Sequence, residues 1–456
     1  MIKDNKVVTP CGEIQGVKSK VENISAFKGI RYATAKRWQH PVEVTSWEGV
    51  YDASEFGNCS YQPRSFYDES VASEKAFYYN EFRKGETYTY SDDCLFLNIW
   101  APDNAENAPV LFYIHGGGFK GGCGHEKHFS GEELCKRGLV VVTINYRLGA
   151  LGFVSLPELA LEEGFTGNYG LYDQVCALNW IRNNIQSFGG DKDKITIMGQ
   201  SAGAMSVQQL VVSPKTEGMF KGAIMLSGGG AFKAMSAKPA SDAYPFWEGV
   251  KEKCGAKTID ELRAVDAEKL FDAFRAQSKE MKGAMAFAGP VIDGNLVVDT
   301  VYELANAGKQ HNIPYMMGST SEDMMPPFIH GMAKDWATLQ ATQGKCDSYT
   351  YFFSRQLPGD KAGAWHSSDL WYTFGTLANG WRPFTEWDYE LSNRMMDYIA
   401  NFVKSGNPNA EGLPVWSANS KSQDKVMMFG DKSIEMGKPS KLKLFYTMLT
   451  NKAVGE

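Results

Sequence analysis

The chain has 456 residues, of which 43% are hydrophobic and 22% charged, and its formal net charge is −6 at pH 7. This small negative charge, without a dense cluster of lysine or arginine, argues against a nucleic-acid-binding protein. The apolar runs are far shorter than the ~20 residues of a membrane-spanning helix, and no apolar segment follows the first lysines as in a secretory signal. We therefore expect a cytoplasmic globular protein without membrane or nucleic-acid partners.

Short strand-like runs follow one another along the first half of the chain. The opening stretch NKVVTPCGEIQGVKSK is turn-rich and predicts a small β-hairpin. From about residue 95, β-branched and aromatic runs bounded by glycine, proline or asparagine recur: FLNIWAP, APVLFYIHGGG, LVVVTINYRLG, KITIMGQS and GAIMLSGG. Because these runs are apolar throughout, they predict strands that are buried on both faces.

Helical patterns separate these strands. NYGLYDQVCALNWIRNNIQSFGGD has apolar residues at three- and four-residue steps and ends at two glycines, and AGAMSVQQLVVS predicts another helix before Pro214. The alternation predicts an α/β protein with a mostly parallel, doubly wound sheet and helices on both faces. Residues 230–310 and 325–400 look mostly helical and indicate insertions around the sheet. Without a repeat or linker, we expect one domain over residues 1–456.

Ser201 lies between Gly199 and Gly203, at the point where a strand is expected to become a helix. Small residues are common in tight turns, so the pattern G-x-S-x-G alone is weak evidence. A strand before it and a helix after it are typical of the nucleophile elbow, a sharp turn that exposes the serine hydroxyl. Side chains at the two glycines would collide with the neighbouring helix and strand.

A glycine-rich loop, YIHGGGFKGG (residues 113–122), directly follows another buried strand. Consecutive glycines let backbone N–H groups approach the oxyanion that forms when an ester carbonyl is attacked. The alternatives are a flexible loop or a phosphate loop, but the stretch lacks the Walker arrangement of lysine and serine or threonine. Together with the serine turn, the loop favours acyl-transfer chemistry.

The chain resembles the type-B carboxylesterase and cholinesterase family of α/β-hydrolases, on these motifs: SDDCLFLNIW, YIHGGGF, VVVTINYRLGALGF, GNYGLYDQVCALNWIRNNIQSFGGD, GQSAGA, SPKTEGMFKGAIMLSG, PVIDG and FVKSGNPN. The resemblance implies an α/β-hydrolase fold with helical insertions around the active site. It also implies a serine–acid–histidine triad in that order, a three-donor oxyanion hole, and no metal or organic cofactor. The nucleophile then falls on Ser201, and the oxyanion donors are the amides of Gly117, Gly118 and Ala202.

The base and the acid of the triad come from later loops. His366, in GAWHSSDLWYTFG, matches the family's histidine loop; the alternative is an ordinary surface histidine. Glu322 and Asp323 are adjacent after the apolar run IPYMMGS. The family usually has Asp-Glu here, with the second acid orienting the histidine. Counted from Gly318, the matching residue is Asp323, so we favour it over Glu322.

The other histidines give no metal signal. His115 opens the glycine loop, and we expect it to support the shape of that loop. His125 and His128 in HEKH are three residues apart, whereas a zinc-binding HExxH helix spaces its histidines by four. We therefore expect both to be exposed to solvent and predict no metal site.

Two departures concern the family's pattern around the site. Gln200 precedes the serine, where many relatives carry glutamate, so one buried acid is missing. The eight cysteines include no CxxC pair. Cys59 and Cys94 match a pair that is disulfide-bonded in exported relatives, and in a reducing cytosol we expect both to be thiols.

The sequence thus predicts a serine ester hydrolase that acts on small-molecule substrates through an acyl-enzyme. Apolar residues next to the motifs are candidates for the substrate pocket, with ordinary core packing as the alternative: Phe119, Met324, Met325, Phe328 and Trp381. They would favour small to medium apolar acyl groups or aryl esters such as hydroxycinnamates. Alternatives are an amidase, lactonase or acyltransferase with the same triad, or a non-catalytic binding protein of the same fold.

Overall fold

The structure is a computed structural model that describes residues 2–62, 77–233, 236–281 and 287–450. Its strands, in chain order, are β1 (Lys6–Thr9), β2 (Gly12–Gln15), β3 (Val17–Lys18), β4 (Ile24–Arg31), β5 (Ala33–Thr34), β6 (Val42–Glu43), β7 (Val50–Asp52), β8 (Cys59–Ser60), β9 (Tyr90–Ser91), β10 (Phe96–Pro102), β11 (Ala108–Ile114), β12 (Val140–Ile144), β13 (Gly190–Gln200), β14 (Gly222–Leu226), β15 (Tyr315–Thr320), β16 (Ser348–Phe353), β17 (Val426–Phe429) and β18 (Ile434–Gly437).

The helices of the described residues lie mostly between these strands and in the two long insertions. They are α1 (Glu132–Cys135), α2 (Gly149–Gly152), α3 (Pro157–Glu163), α4 (Tyr169–Asn184), α5 (Ala202–Leu210), α6 (Ala240–Lys253), α7 (Ile259–Arg263), α8 (Ala267–Glu280), α9 (Val301–Asn306), α10 (Pro326–Thr342), α11 (Leu370–Thr373), α12 (Glu386–Ser405) and α13 (Lys441–Thr450). None of these helices is long and apolar enough to cross a membrane.

One large mixed sheet carries the architecture. Its strand order is β18-β17-β16-β15-β14-β13-β11-β12-β10-β4-β3. The strands from β12 to β17 pair in parallel, and antiparallel strands close both edges. The prediction of a mostly parallel sheet is therefore confirmed. The carboxyl ends of β11, β13 and β15 lie at one edge, so the loops that follow them are brought together.

Helices cover both faces of the sheet, because successive side chains of a strand point to opposite faces. In β11, Phe112 belongs to the hydrophobic core that includes Leu178 of α4. Its neighbour Tyr113 belongs to the core on the other face, with Leu391 of α12. A strand that is buried in this way needs apolar residues at every position, as the sequence of β11 has.

Two local predictions had different outcomes. The opening hairpin is confirmed, since β1 and β2 pair antiparallel from Lys6↔Gln15 to Thr9↔Gly12. Residues 325–400 contain α10, α11 and most of α12, but they also contain β16, which lies between β15 and β17. The segment SYTYFF is a strand because aromatic and β-branched side chains suit a sheet position buried on both faces, and all six of its residues are buried.

Candidate active site

Ser201 occupies a strained turn between β13 and α5. Its φ is 55° and its ψ is −122°, which is a costly conformation for a residue with a side chain. A Cβ atom on Gly199 would lie 2.3 Å from the Gly203 carbonyl group, and one on Gly203 would lie 2.1 Å from the carbonyl oxygen of Ile114. The two glycines are thus required by the close packing of strand, turn and helix, and the turn has the geometry that is typical of a nucleophile elbow.

The glycine loop after β11 lies directly against this turn. A Cβ atom on Gly116 would lie 2.7 Å from the carbonyl oxygen of Gln200 and 3.1 Å from Cβ of Ser201. Gly117 and Gly118 are exposed and have φ values of 105° and 61°. Within the described ranges, no oxygen accepts a hydrogen bond from the backbone N–H of Gly117, Gly118 or Ala202. Three amide donors therefore remain available next to Ser201.

The side chain of His115 packs against the glycine loop. Its Nδ1 lies 2.8 Å from the carbonyl oxygen of Gly116, and its ring stacks on Tyr146 with the centroids 4.5 Å apart. Burial is the main cause that lowers the pKa of His115 to about 4. The ring is therefore neutral at pH 7, and its N–H group donates to the loop. These contacts agree with the supporting position expected from the sequence.

Asp323 and His366 form a buried pair. The Nδ1 atom of His366 lies 2.5 Å from Oδ1 of Asp323, and the backbone N–H of Thr320 donates to Oδ2 at 3.1 Å. Burial opposes ionisation of Asp323, but the adjacent His366 and the hydrogen bonds outweigh it, so the pKa of the carboxyl group is lowered. A carboxylate only accepts hydrogen bonds, so the ring donates through Nδ1 and its Nε2 is left as the acceptor.

Glu322 contacts the backbone of the histidine loop instead of the imidazole. Its Oε2 accepts a hydrogen bond from the N–H of Ala364 at 2.8 Å and another from the hydroxyl of Ser321. Its own N–H donates to the Ala364 carbonyl oxygen at 3.0 Å, next to a bridge with Trp365. The two adjacent acids thus contact different parts of the histidine loop. Glu322 binds its backbone, and Asp323 binds the imidazole ring of His366.

Gln200 is the residue next to the imidazole on the opposite side from Asp323. Its side-chain Nε2 lies 3.3 Å from Nε2 of His366, and both groups are buried. A neutral amide cannot give the ring the negative charge that a glutamate would supply here. The acceptor nitrogen of His366 is therefore directed to the segment that carries Ser201, and Asp323 remains its charged partner.

Sequence reasoning missed Asp369, a buried acid close enough to Asp323 and His366 to feel their charges. The hydroxyl of Tyr351 donates to its Oδ2 at 2.6 Å. Burial is the main cause that raises the pKa of Asp369 to about 6, and the negative charge of Asp323 adds to it. Only the spacing of three residues from His366 could have drawn attention to it.

This raised pKa predicts how stability depends on pH. Between an unfolded-state pKa of ~3.9 and the folded value of about 6, the native state binds more protons than the unfolded state. The free energy of unfolding attributable to Asp369 therefore falls as pH rises through this window. We expect Asp369→Asn to be more stable than the wild type at pH 7.5 by up to about 3 kcal/mol, with the difference lost below about pH 4. Urea unfolding at several pH values measures it.

The exposed Asp347 supplies the control for this measurement, because Asp347→Asn removes the same charge without a buried partner. It should change stability by a small amount that varies little with pH. An Asp369→Asn variant that is less stable than the wild type at pH 7.5 would contradict the expected cost of the buried carboxylate.

The candidate pocket residues do not share one environment. Phe119 is buried and packs edge to face on Phe153, with the centroids 4.9 Å apart, in a cluster that includes Ala202. Met324, Met325 and Phe328 are exposed and follow Asp323 directly. Trp381 is also exposed, and its indole N–H donates to Glu81 at 2.9 Å. Four of the five residues therefore expose apolar surface, and Phe119 is the buried one.

The expectation that His125 and His128 are exposed is wrong. His128 is 1% exposed, because it is packed between Phe82 and Phe129 at centroid distances of 3.7 and 3.8 Å. His125 is half-buried and stacks on Phe56, with the centroids 4.7 Å apart. The two histidines of the HEKH segment are buried or half-buried because Phe56 and Phe82, from earlier parts of the chain, pack on them, which the short-range sequence pattern does not reveal.

The cysteines of the described residues form no disulfide with one another. Cys59 has a different neighbour from the one that the family resemblance implies. Its Sγ lies 3.6 Å from Nε2 of His125, and the sulfur of Cys123 is within 4.8 Å of both atoms. Sequence reasoning missed this cluster because Cys59 and Cys123 are 64 positions apart and the three residues do not have the spacing of a known metal-binding motif.

Comparisons with known proteins agree with this geometry. The sequence profile of the carboxylesterase family matches residues 3–336 and 328–444. The chain is 29% identical to the para-nitrobenzyl esterase of Bacillus subtilis (strain 168), over 94% of this chain and 96% of that protein. It is 30% identical to the bile salt-activated lipase of Mus musculus, over 90% and 80% of the two chains. A solved structure of a PNB esterase superposes with a TM-score of 0.82 at 25% identity, over 98% and 99% of the chains.

The match spans nearly the whole chain, and it includes the strand–turn–helix around Ser201 and the loops that carry Asp323 and His366. The superposition on an esterase also identifies the large sheet and its helices as the α/β-hydrolase fold. The chain therefore belongs to the carboxylesterase family and is a carboxylic ester hydrolase.

Proposed function

We propose that this hydrolase cleaves its ester substrates with Ser201 as nucleophile, through an acyl-enzyme. The observation that carries the proposal is the buried pair of His366 and Asp323, 2.5 Å apart, whose acceptor nitrogen is directed to the segment of Ser201. A serine alone is a weak nucleophile at neutral pH, and an adjacent imidazole oriented by a carboxylate activates it.

The proposed reaction has two halves. Nε2 of His366 takes the proton of Ser201 as the hydroxyl oxygen attacks the ester carbonyl, and the carbonyl oxygen becomes negatively charged. The amides of Gly117, Gly118 and Ala202 donate hydrogen bonds to this oxyanion. The imidazolium then protonates the departing alcohol, which leaves the acyl-enzyme. In the second half, His366 deprotonates water, which releases the acid and regenerates Ser201.

The proposed substrates are small to medium esters with apolar acyl groups or aryl groups. Met324, Met325 and Phe328 support this class, since they follow the candidate acid and expose apolar side chains. A panel of p-nitrophenyl esters of increasing acyl length, together with methyl hydroxycinnamates, tests it, and Ser201→Ala gives the uncatalysed blank. Turnover of charged esters faster than all apolar ones would contradict the proposed class.

The proposed mechanism uses side chains and backbone amides alone, so we expect chelation to leave the rate unchanged. EDTA should not alter kcat/KM for p-nitrophenyl acetate at 25 °C, because no step in the reaction is assigned to a metal ion. Assays before and after dialysis against the chelator measure this. A loss of kcat that returns when a metal is added, while Tm stays unchanged, would contradict the mechanism.

A further inference from the structure

Two cysteines and one histidine converge beneath the glycine loop. Cys59 belongs to β8, and Cys123 and His125 follow the loop that begins at His115. One potential ligand atom of each residue lies within 4.8 Å of the other two. Both sulfurs are in fully buried residues, whereas His125 is half-buried.

The spacing of one pair of donor atoms matches that of two ligands around a tetrahedral metal ion. Zinc binds sulfur at ~2.3 Å and imidazole nitrogen at ~2.0–2.1 Å, and a tetrahedral angle then places the two donors about 3.6 Å apart. The distance between Sγ of Cys59 and Nε2 of His125 is 3.6 Å. These two atoms are therefore already at the separation that a shared cation requires.

Neighbouring side chains fix the orientation of His125, and they bind the adjacent acid Glu126 so that it is not available as a metal ligand. The ring of His125 is stacked on Phe56 with an interplanar angle of 11°, which fixes its orientation. Glu126 is engaged by Arg83, whose Nε donates to its Oε1 at 2.8 Å. Two thiolates would neutralise a divalent cation, and a water molecule would complete the four ligands.

We propose that Cys59, Cys123 and His125 form a binding site for a thiophilic divalent cation, with Zn²⁺ as the ion that best fits the donors. Thiolate and imidazole ligands select zinc and similar ions over magnesium or calcium. A disulfide between the two cysteines would use their sulfurs alone and would leave the converging imidazole without a role. The metal site uses all three groups.

The site would connect two segments that are distant in the chain. Cys123 directly follows Gly122, whose N–H donates to the Gln62 side chain at 2.9 Å. A metal bound to both Cys59 and Cys123 would join β8 to the end of the glycine loop. Its expected effect is on stability and not on the chemical step, since none of its ligands is assigned to the reaction.

The test is a metal titration of the full-length protein under reducing conditions. We expect the wild type to bind one equivalent of Zn²⁺, and of Cd²⁺ with thiolate charge-transfer absorbance. At a hundredfold excess over Kd, Zn²⁺ should raise Tm by roughly 2–4 °C. Cys123→Ser and His125→Gln should each weaken binding by more than about 100-fold. Cys346→Ser is the control, because it removes the least buried cysteine and should bind metal as the wild type does.

His125→Gln keeps the test decisive if Cys123→Ser does not fold, because His125 is only half-buried. Equal binding by the wild type and His125→Gln would overturn the site, as would loss of binding in Cys346→Ser. Mass spectrometry of the protein, purified and kept in a reducing buffer, gives a further outcome. A complete Cys59–Cys123 disulfide under these conditions would also overturn the site.

Discussion

Ser201→Ala is expected to fold normally and to lose kcat by ~10⁴-fold or more, since the members of a triad act as a unit. Alanine keeps the Cβ atom that already occupies the strained turn at φ 55°, so Tm should stay close to that of the wild type. The backbone N–H of residue 201 also keeps its hydrogen bond to Leu226, 2.8 Å long. The loss therefore reports on the hydroxyl group alone, measured as kcat on one p-nitrophenyl ester.

Covalent labelling separates this result from a general disturbance of the site. A fluorophosphonate probe should label the wild type and fail to label Ser201→Ala. Ser278→Ala is the matched control, because the Ser278 hydroxyl donates to the Phe274 carbonyl oxygen within α8, in an insertion away from the turn. Labelling that survives in Ser201→Ala would show that another residue is the nucleophile.

Asp323→Asn should produce the second large loss, again on the order of 10⁴ in kcat. The amide of asparagine can donate a hydrogen bond to Nδ1 of His366, which would place the ring proton on Nε2 and remove the base that Ser201 needs. The substitution replaces a buried carboxylate by a group of nearly the same shape, so the fold should be retained. Measuring kcat/KM against pH shows whether the loss persists at every pH.

Glu322→Gln is the matched control for this prediction. Its amide oxygen can still accept the hydrogen bond from Ala364 that now binds Oε2 at 2.8 Å. The histidine loop should therefore keep its position, and activity should fall much less than in Asp323→Asn. If Glu322→Gln were the more damaged variant, Glu322 and not Asp323 would be the residue that orients the imidazole.

The strand–turn–helix around Ser201 could be predicted because its causes are local. The β-branched run KITIM, the two glycines and the helical pattern after them lie within residues 194–213, and each constrains the same short segment. The loops of Asp323 and His366 depended on the family resemblance. Their 2.5 Å contact joins residues from either side of α10 and β16, which no local pattern specifies.

Other features could not be predicted because they depend on contacts between distant segments. The burial of His128 results from packing against Phe82, and the cluster of Cys59 with His125 joins residues 66 positions apart. The hydrogen bond from the indole N–H of Trp381 to Glu81 is a further example, since the two residues are 300 positions apart.

The double attachment between the acid loop and the histidine loop has a consequence for how such enzymes diversify. Glu322 binds the backbone of the histidine loop at Ala364, and Asp323 binds the imidazole ring of His366. The intervening chain, with α10 and β16, leaves from the first loop and returns to the second. Its exposed parts, such as Met324 and Phe328, are thus open to exchange, lengthening or directed evolution for new substrates, while the contacts of Asp323 with His366 and of Glu322 with Ala364 stay in place.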